Sequence, residues 1–320
     1  SETSNVNQVG GIVRKYWVPV ILILLLLPSF YTAPHIIMKS ENPNGEIEYP
    51  SILDVKSSGL VLIILDGVGE NYLLNDDYMP ELNSYRKDSA TLQVRTGPLT
   101  LSATCVSELM TGVPNSPIDG LRNFNLNHPG GVDPWTLASK DDRYSVAMVG
   151  SYVMGNMYNK FDDINFVNTF QGHSDYYEGD EETTEIATNW ISDMEHNVLA
   201  VHYSGPDKVG HNWGVTGPDY KKKLLDLDKQ VSSLLDIIPE NWTVIVTADH
   251  GMTEIGSHGS AEDVTRDVAA IVSGPGILKD STDSVNQRDL ASLVPLSLGL
   301  PFPIQLHGRI PLDILNYSPS

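Results

Sequence analysis

The chain has a single cysteine, Cys105, in 320 residues, which excludes an internal disulfide framework and leaves cysteine usage silent about compartment. Positive charge is also scarce. Against 41 Asp and Glu stand 20 Lys and Arg, a formal net charge of −21. Such a surface repels a phosphate backbone, so no nucleic-acid-binding surface is expected. Acidic excess commonly serves solubility and names no substrate. No internal repeat and no low-complexity tract is found. Charge is missing altogether from residues 16–33 (YWVPVILILLLLPSFYTA), an apolar run about as long as a bilayer-crossing helix requires.

That run predicts one N-terminal transmembrane helix over 16–33. Arg14 and Lys15 precede it, which puts 1–15 in the cytoplasm and the chain after about residue 34 on the extracytoplasmic side of a single-pass membrane protein. A cleaved signal peptide is the competing reading. Tyr31 at the minus-three position and Pro34 after Ala33 make a poor cleavage site, so an uncleaved anchor in the lipid bilayer is preferred. Residues 34–57, with Pro34, Pro43, Asn44, Gly45 and Pro50 and little periodicity, read as an extended tether. The remainder, 58–320, is of a length that suits one large domain.

Within that domain, short β-branched runs recur at 60–65 (LVLIIL), 144–149 (YSVAMV), 198–203 (VLAVHY), 243–247 (TVIVT) and 268–272 (VAAIV). Most are continuously apolar, as strands buried on both faces should be. Helical stretches lie between them at 102–111, 183–194 and 219–237. Alternation of this kind predicts an α/β fold with a mostly parallel central sheet. In such sheets the chemistry gathers beyond the carboxyl ends of the strands. Asp66 directly follows LVLIIL, Asp207 follows VLAVHYSGP, and Asp249 and His250 follow TVIVTA, so these groups should meet on one rim.

With His211 in GPDKVGHNWG and His258 in GSHG, they make six candidate ligands of the type that holds Zn²⁺ or a similar divalent ion. Singly, each motif is weak. A strand-end aspartate is often a helix cap, and a lone histidine is usually a satisfied polar residue; the joint occurrence carries the argument. A candidate nucleophile, Ser102, opens the amphipathic stretch that follows GPLTL, where unpaired backbone N–H groups favour an alkoxide and a phosphoryl oxygen. The plain alternative is an N-cap serine. Thr100 and Thr104 are competing hydroxyls, and Cys105, three residues along the same helix, is expected to pack inward.

In LIILDGVG, the Ser102 helix ending in MTG, GPDKVGHNWG and TADHGMTEIGSHG, taken in order, the chain resembles the alkaline phosphatase superfamily. It is more closely similar to the nucleotide pyrophosphatase/phosphodiesterase and GPI ethanolamine phosphate transferase branches. The likeness covers about residues 59–313 and extends, for the transferases, to PIDGLRNF, GPDYKKKLLDLD and GLPFPI. The resemblance implies a three-layer α/β sandwich. It implies that Asp66, Ser102, Asp249 and His250 surround one metal, that Asp207, His211 and His258 surround a second, and that Asn123 contacts the substrate phosphoryl group. Ser102 falls at the superfamily's distance before Thr111-Gly112, although threonine is commoner there in the closest branches. Two departures stand out. Val68-Gly69 occupy a stretch where related sequences often carry Arg, and His307 lies where a polar non-histidine is usual.

The expected function is phosphoester hydrolysis or phosphotransfer with two divalent ions, of which Zn²⁺ fits the donors best, through a phosphoserine at Ser102. Two dications balance Asp66, Asp207, Asp249 and a Ser102 alkoxide, which favours a phosphodiester or phospho-headgroup over a monoester dianion. The partners are thus a small phosphoester or a lipid headgroup. Alternatives are a phosphomonoesterase, or a non-catalytic, metal-stabilised domain displayed on a membrane. The acidic run 175–181 (DYYEGDE) is either a specificity loop or a solvated one.

Overall fold

The computed structural model describes residues 45–47, 53, 55–172 and 174–317. The predicted span 16–33 lies outside them, as does most of 34–57; among the described residues no helix is long and apolar enough to cross a membrane.

An eight-stranded sheet forms the centre, in the spatial order β5-β4-β6-β2-β7-β8-β3-β9. The strands are β2 (Gly59–Leu65), β3 (Ala90–Arg95), β4 (Val146–Gly150), β5 (Ile164–Asn168), β6 (Val198–Tyr203), β7 (Trp242–Ala248), β8 (Asp267–Ser273) and β9 (Thr282–Asn286). A small antiparallel pair, β1 (Glu46–Ile47) with β10 (Phe302–Pro303), lies apart from it. Only β8 runs against its neighbours, pairing antiparallel with both β7 and β3. Every residue of β2, β4, β6 and β7 is buried, so both faces of the sheet's centre are covered, which is why these four read as nearly continuous apolar runs.

The helix over 102–111 falls where the periodicity places it, Ser102–Thr111, and ends at Gly112 with φ 70°, a left-handed C-terminal residue that glycine adopts without strain. The helix expected from residue 183 instead begins at Glu178 and runs to Ser192. Its first turn carries Glu178, Asp180 and Glu181, acidic groups that favour the positive end of a helix, so half of the acidic run is helix rather than loop. Asp180 is buried there: its Oδ2 lies 2.9 Å from Lys223 Nζ, and its Oδ1 accepts from Gly205 N at 3.1 Å.

Candidate active site

Three adjacent parallel strands bring the site together. β2 lies between β6 and β7, with Leu65 opposite Tyr203 on one side and Ala248 on the other, so their carboxyl ends share one edge. Asp66 leaves β2 at that edge, Asp249 and His250 leave β7, and Asp207 sits in the first turn of the helix Gly205–Trp213 that follows β6. Pro206 near the start of this helix needs no hydrogen-bond partner, and the four-residue step puts Asp207 and His211 on one face. Gly67 turns the chain tightly at φ 76°; a β-carbon there would meet Asp207 Cα at 3.2 Å, so the Asp-Gly pair is a condition of the close approach.

The donors fall into two clusters, Asp66 with Asp249 and His250, and Asp207 with His211 and His258; within each, the donor atoms lie within 4.8 Å of one another. In the first, His250 Nε2 is 3.4 Å from Asp66 Oδ1 and 3.5 Å from Asp249 Oδ2. In the second, Asp207 Oδ1 is 3.3 Å from His211 Nε2 and 3.4 Å from His258 Nε2. The His250 and His258 rings stack at 4.0 Å and join the clusters. His258 Nδ1–H donates to Thr100 O at 2.6 Å and His250 Nδ1–H to Gly251 O at 3.1 Å, so the Nε2 of each ring presents a lone pair.

Burial pushes the Asp249 carboxyl well above the usual carboxylate range, and the Asp66 charge adds to the rise. Burial and Asp207 push Asp66 the same way, yet His202 and His250 bring it below its ordinary value. Burial opposes ionisation of Asp207 too, but the His211 contact and the Lys208 charge hold it low. His258 is lowered to about 4, chiefly by burial and then by the neighbouring His250. Burial lowers His250 and His258, and neutral imidazoles of that kind beside crowded carboxylates are what a divalent cation needs, whereas contact with Asp207 raises His211. Among the described residues, Asp207 Oδ1 and Asp249 Oδ2 are buried without a hydrogen-bond partner, and such atoms are costly unless something positive faces them. The residues present therefore fit two small dications.

Ser102 is the first residue of its helix; Leu101 occupies the N-cap position, so the serine hydroxyl caps nothing. Its Oγ lies 3.2 Å from His250 Nε2 and donates towards Asp66 Oδ1 at 3.4 Å, which places it with the first cluster. The competing hydroxyls are occupied elsewhere. Thr100 Oγ1 donates to Ser260 O and accepts from Gly259 N, and Thr104 Oγ1 donates to the carbonyls of Leu99 and Leu101. Asn123 comes to the start of the same helix, where its Oδ1 accepts from Ala103 N at 3.1 Å. Cys105 is buried, and burial together with Asp249 and Glu108 pushes its thiol far up, so it stays a neutral thiol. His307 is exposed and its N–H bonds Gly112 O, at the other end of the helix from Ser102.

Two side chains beside the clusters went unmarked in the sequence: His202 on β6, whose Nε2 is 3.3 Å from Asp66 Oδ2, and Lys208, whose Nζ donates to Asp207 Oδ2 at 2.7 Å. Their only sequence signal is a polar residue inside an apolar strand and a cation next to a candidate ligand.

A model of the family "Type I phosphodiesterase / nucleotide pyrophosphatase" matches residues 60–271. The catalytic subunit of human GPI ethanolamine phosphate transferase 2 is 24% identical over 282 residues, 82% of this chain and 28% of that protein. GPI ethanolamine phosphate transferase 3 of Schizosaccharomyces pombe is 33% identical over 130 residues, 39% of this chain and 14% of that one. The chain thus spans less than a third of the length of these curated relatives. Among solved structures, human ectonucleotide pyrophosphatase/phosphodiesterase 5 superposes with a TM-score of 0.63 at 15% identity, covering 81% of this chain and 100% of that chain. With a shared fold and a family match across the central strands and every candidate ligand, the chain belongs to the type I phosphodiesterase / nucleotide pyrophosphatase family.

Proposed function

We propose that this chain breaks or transfers phosphodiesters, with Ser102 as nucleophile at the first of two cation sites. The observation that carries the reading is the position of Ser102 Oγ, 3.2 Å from His250 Nε2 and 3.4 Å from Asp66 Oδ1, on a helix that does not use it as a cap. Asp66, Asp249 and His250, with Ser102, would hold one ion, and Asp207, His211 and His258 the other. Zinc suits this mixture of carboxylate and imidazole, and when bound it lowers the pKa of the nucleophile and neutralises charge on the leaving oxygen.

The chain's own groups supply the rest. Ser102 Oγ gives up its proton and bonds to phosphorus while the opposite P–O ester bond breaks and its alcohol leaves with a proton, giving a phosphoserine that still carries the other ester group. Water or an acceptor hydroxyl then attacks, restoring Ser102 and completing hydrolysis or transfer. With its Oδ1 occupied by Ala103 N, Asn123 keeps its amide Nδ2–H for a phosphoryl oxygen. Lys208, 2.7 Å from Asp207, adds one positive charge to an otherwise balanced site, and a singly charged phosphodiester matches that surplus.

The relatives are named as ethanolamine phosphate transferases, which supports transfer of a phospho-headgroup as the reaction. Exposed Leu121 and Phe124 flank Asn123, and exposed Trp213 lies two residues from His211, apolar groups that suit a substrate carried on lipid. In this proposal the domain 58–320 stands outside a bilayer, held by the anchor 16–33 and the tether 34–57.

The test is turnover of bis-p-nitrophenyl phosphate and p-nitrophenyl phosphate by the full chain, with zinc and with chelator, beside Ser102→Ala. Zinc-dependent preference for the diester is expected, falling by about three orders of magnitude or more in Ser102→Ala. Preference for the monoester would make this a phosphatase. Turnover that survives Ser102→Ala would remove Ser102 as nucleophile, and zinc binding without turnover would favour the non-catalytic domain.

A further inference from the structure

Both cation clusters contain an aspartate whose two oxygens have different neighbours. Asp66 Oδ1 faces His250 Nε2 and Ser102 Oγ, each at 3.4 Å, while Oδ2 faces His202 Nε2 at 3.3 Å. Asp207 Oδ1 faces His211 and His258 at 3.3 and 3.4 Å, while Oδ2 accepts from Lys208 Nζ at 2.7 Å. We propose that His202 and Lys208 are positioning residues that take up one oxygen each of Asp66 and Asp207, so that each aspartate meets its cation through the other oxygen alone. This rests on the two-cation reading above.

His202 is built for the task. Ser151 Oγ lies 2.9 Å from its Nδ1, and a hydroxyl that donates there leaves the ring proton on Nε2, the nitrogen 3.3 Å from Asp66 Oδ2. Nothing else competes for that nitrogen: it is buried and, among the described residues, makes no hydrogen bond of its own, so that Asp66 Oδ2 at 3.3 Å is left as its ion-pair contact. The end of β4 is pressed against the same residue, since a β-carbon on Gly150 would stand 2.3 Å from His202 O and 2.8 Å from its Cβ. Ring and strand are thereby locked.

Lys208 is held from the other side. Its ammonium lies 5.6 Å from the Phe170 ring centre, and its side chain is only 13% exposed. A carboxylate with both oxygens free can swing or grip an ion with both; with one oxygen engaged it contributes a single bond. That leaves room around each ion for the nucleophile and a phosphoryl oxygen, the open position a catalytic site keeps.

The experiment is zinc titration of the full chain, freed of metal and competed against a chromophoric chelator, with no substrate present. The variants are His202→Leu and Lys208→Met, with His202→Gln and Lys208→Arg restoring an N–H at the lost position. The wild-type chain is expected to bind two zinc ions. Each disabling variant should weaken one of them about 10- to 100-fold, with the restoring variants close to wild type. Wild-type affinity at both sites in every variant overturns the inference and leaves the two-cation reading standing. So does an equal loss in the restoring variants. A wild-type chain that binds fewer than two ions removes the two-cation reading itself. If His202→Leu does not fold, Lys208→Met and Lys208→Arg decide.

Discussion

Asn123 is tied down at one end of its amide. Because Ala103 N can only donate, the atom it meets at 3.1 Å is the amide oxygen, and the NH₂ end remains for a ligand. Asn123→Ala should therefore lower kcat/KM for a phosphodiester by about 100-fold, the usual effect of removing one aimed donor, while leaving zinc affinity unchanged. Steady-state kinetics beside a zinc titration checks this, and a parallel fall in zinc affinity would assign Asn123 a structural role instead. At this scale the sequence was most informative where residue type and position coincide. Asp66, Asp207, Asp249 and His250 could be placed because each follows a strand end. The choice of Ser102 among the hydroxyls comes from the family spacing; its physical reason, that Thr100 and Thr104 are engaged by carbonyls while Ser102 is left over, belongs to the fold. His202 and Lys208 were invisible because each touches an aspartate rather than a reactant, and His202 on β6 reaches Asp66 just beyond the end of the neighbouring strand β2.

The helix that carries Asp207 and His211 is itself held by neighbouring helices. Asp180 on Glu178–Ser192 accepts from Gly205 N, at that helix's first residue, and pairs with Lys223 on Pro218–Leu235, whose side chain has no solvent exposure. Lys223 also lies 4.5 Å from the Tyr177 ring centre. Removing one member of a buried pair strands the other, so Lys223→Met should destabilise the chain by about 3–5 kcal/mol, and Asp180→Asn added to it should recover part of the loss. Urea unfolding of the two single variants and the double variant measures the coupling; additive losses would mean that the pair does not act as a unit. The same contrast between centre and margin explains which strands the sequence revealed. β2, β6 and β7 are buried throughout and were legible as apolar runs. β5 (INFVN) and β9 (TDSVN) sit at the two edges of the sheet, mostly out of the core, and β3 is buried only at alternate positions, so none offers such a run. The reversal of β8 was equally hidden, because an apolar strand reads the same in either direction.

Taken as a whole, the molecule concentrates its negative charge where it is least affordable in water-free surroundings. The chain carries a net −21, and Asp66, Asp207 and Asp249 are all buried on one rim. Their mutual repulsion works against the fold unless cations compensate it, as the raised carboxyl of Asp249 already indicates. An ion that binds the folded but not the unfolded chain stabilises it by mass action, about 2.7 kcal/mol per site at a hundred times the dissociation constant. For a domain of this size that corresponds to a rise in Tm of about 5–10 °C, so chelator should lower the melting temperature by at least that much and zinc should restore it. Calorimetry with chelator, and again after adding excess zinc, measures the difference. The replacement of Asp207 by Asn separates this effect from general salt screening: with a cluster carboxylate gone, the zinc-dependent rise should shrink while the response to sodium chloride stays the same. A Tm indifferent to chelator in the wild-type chain would mean that the crowded carboxylates are relieved by protons instead, and the two-cation reading would fall with that result.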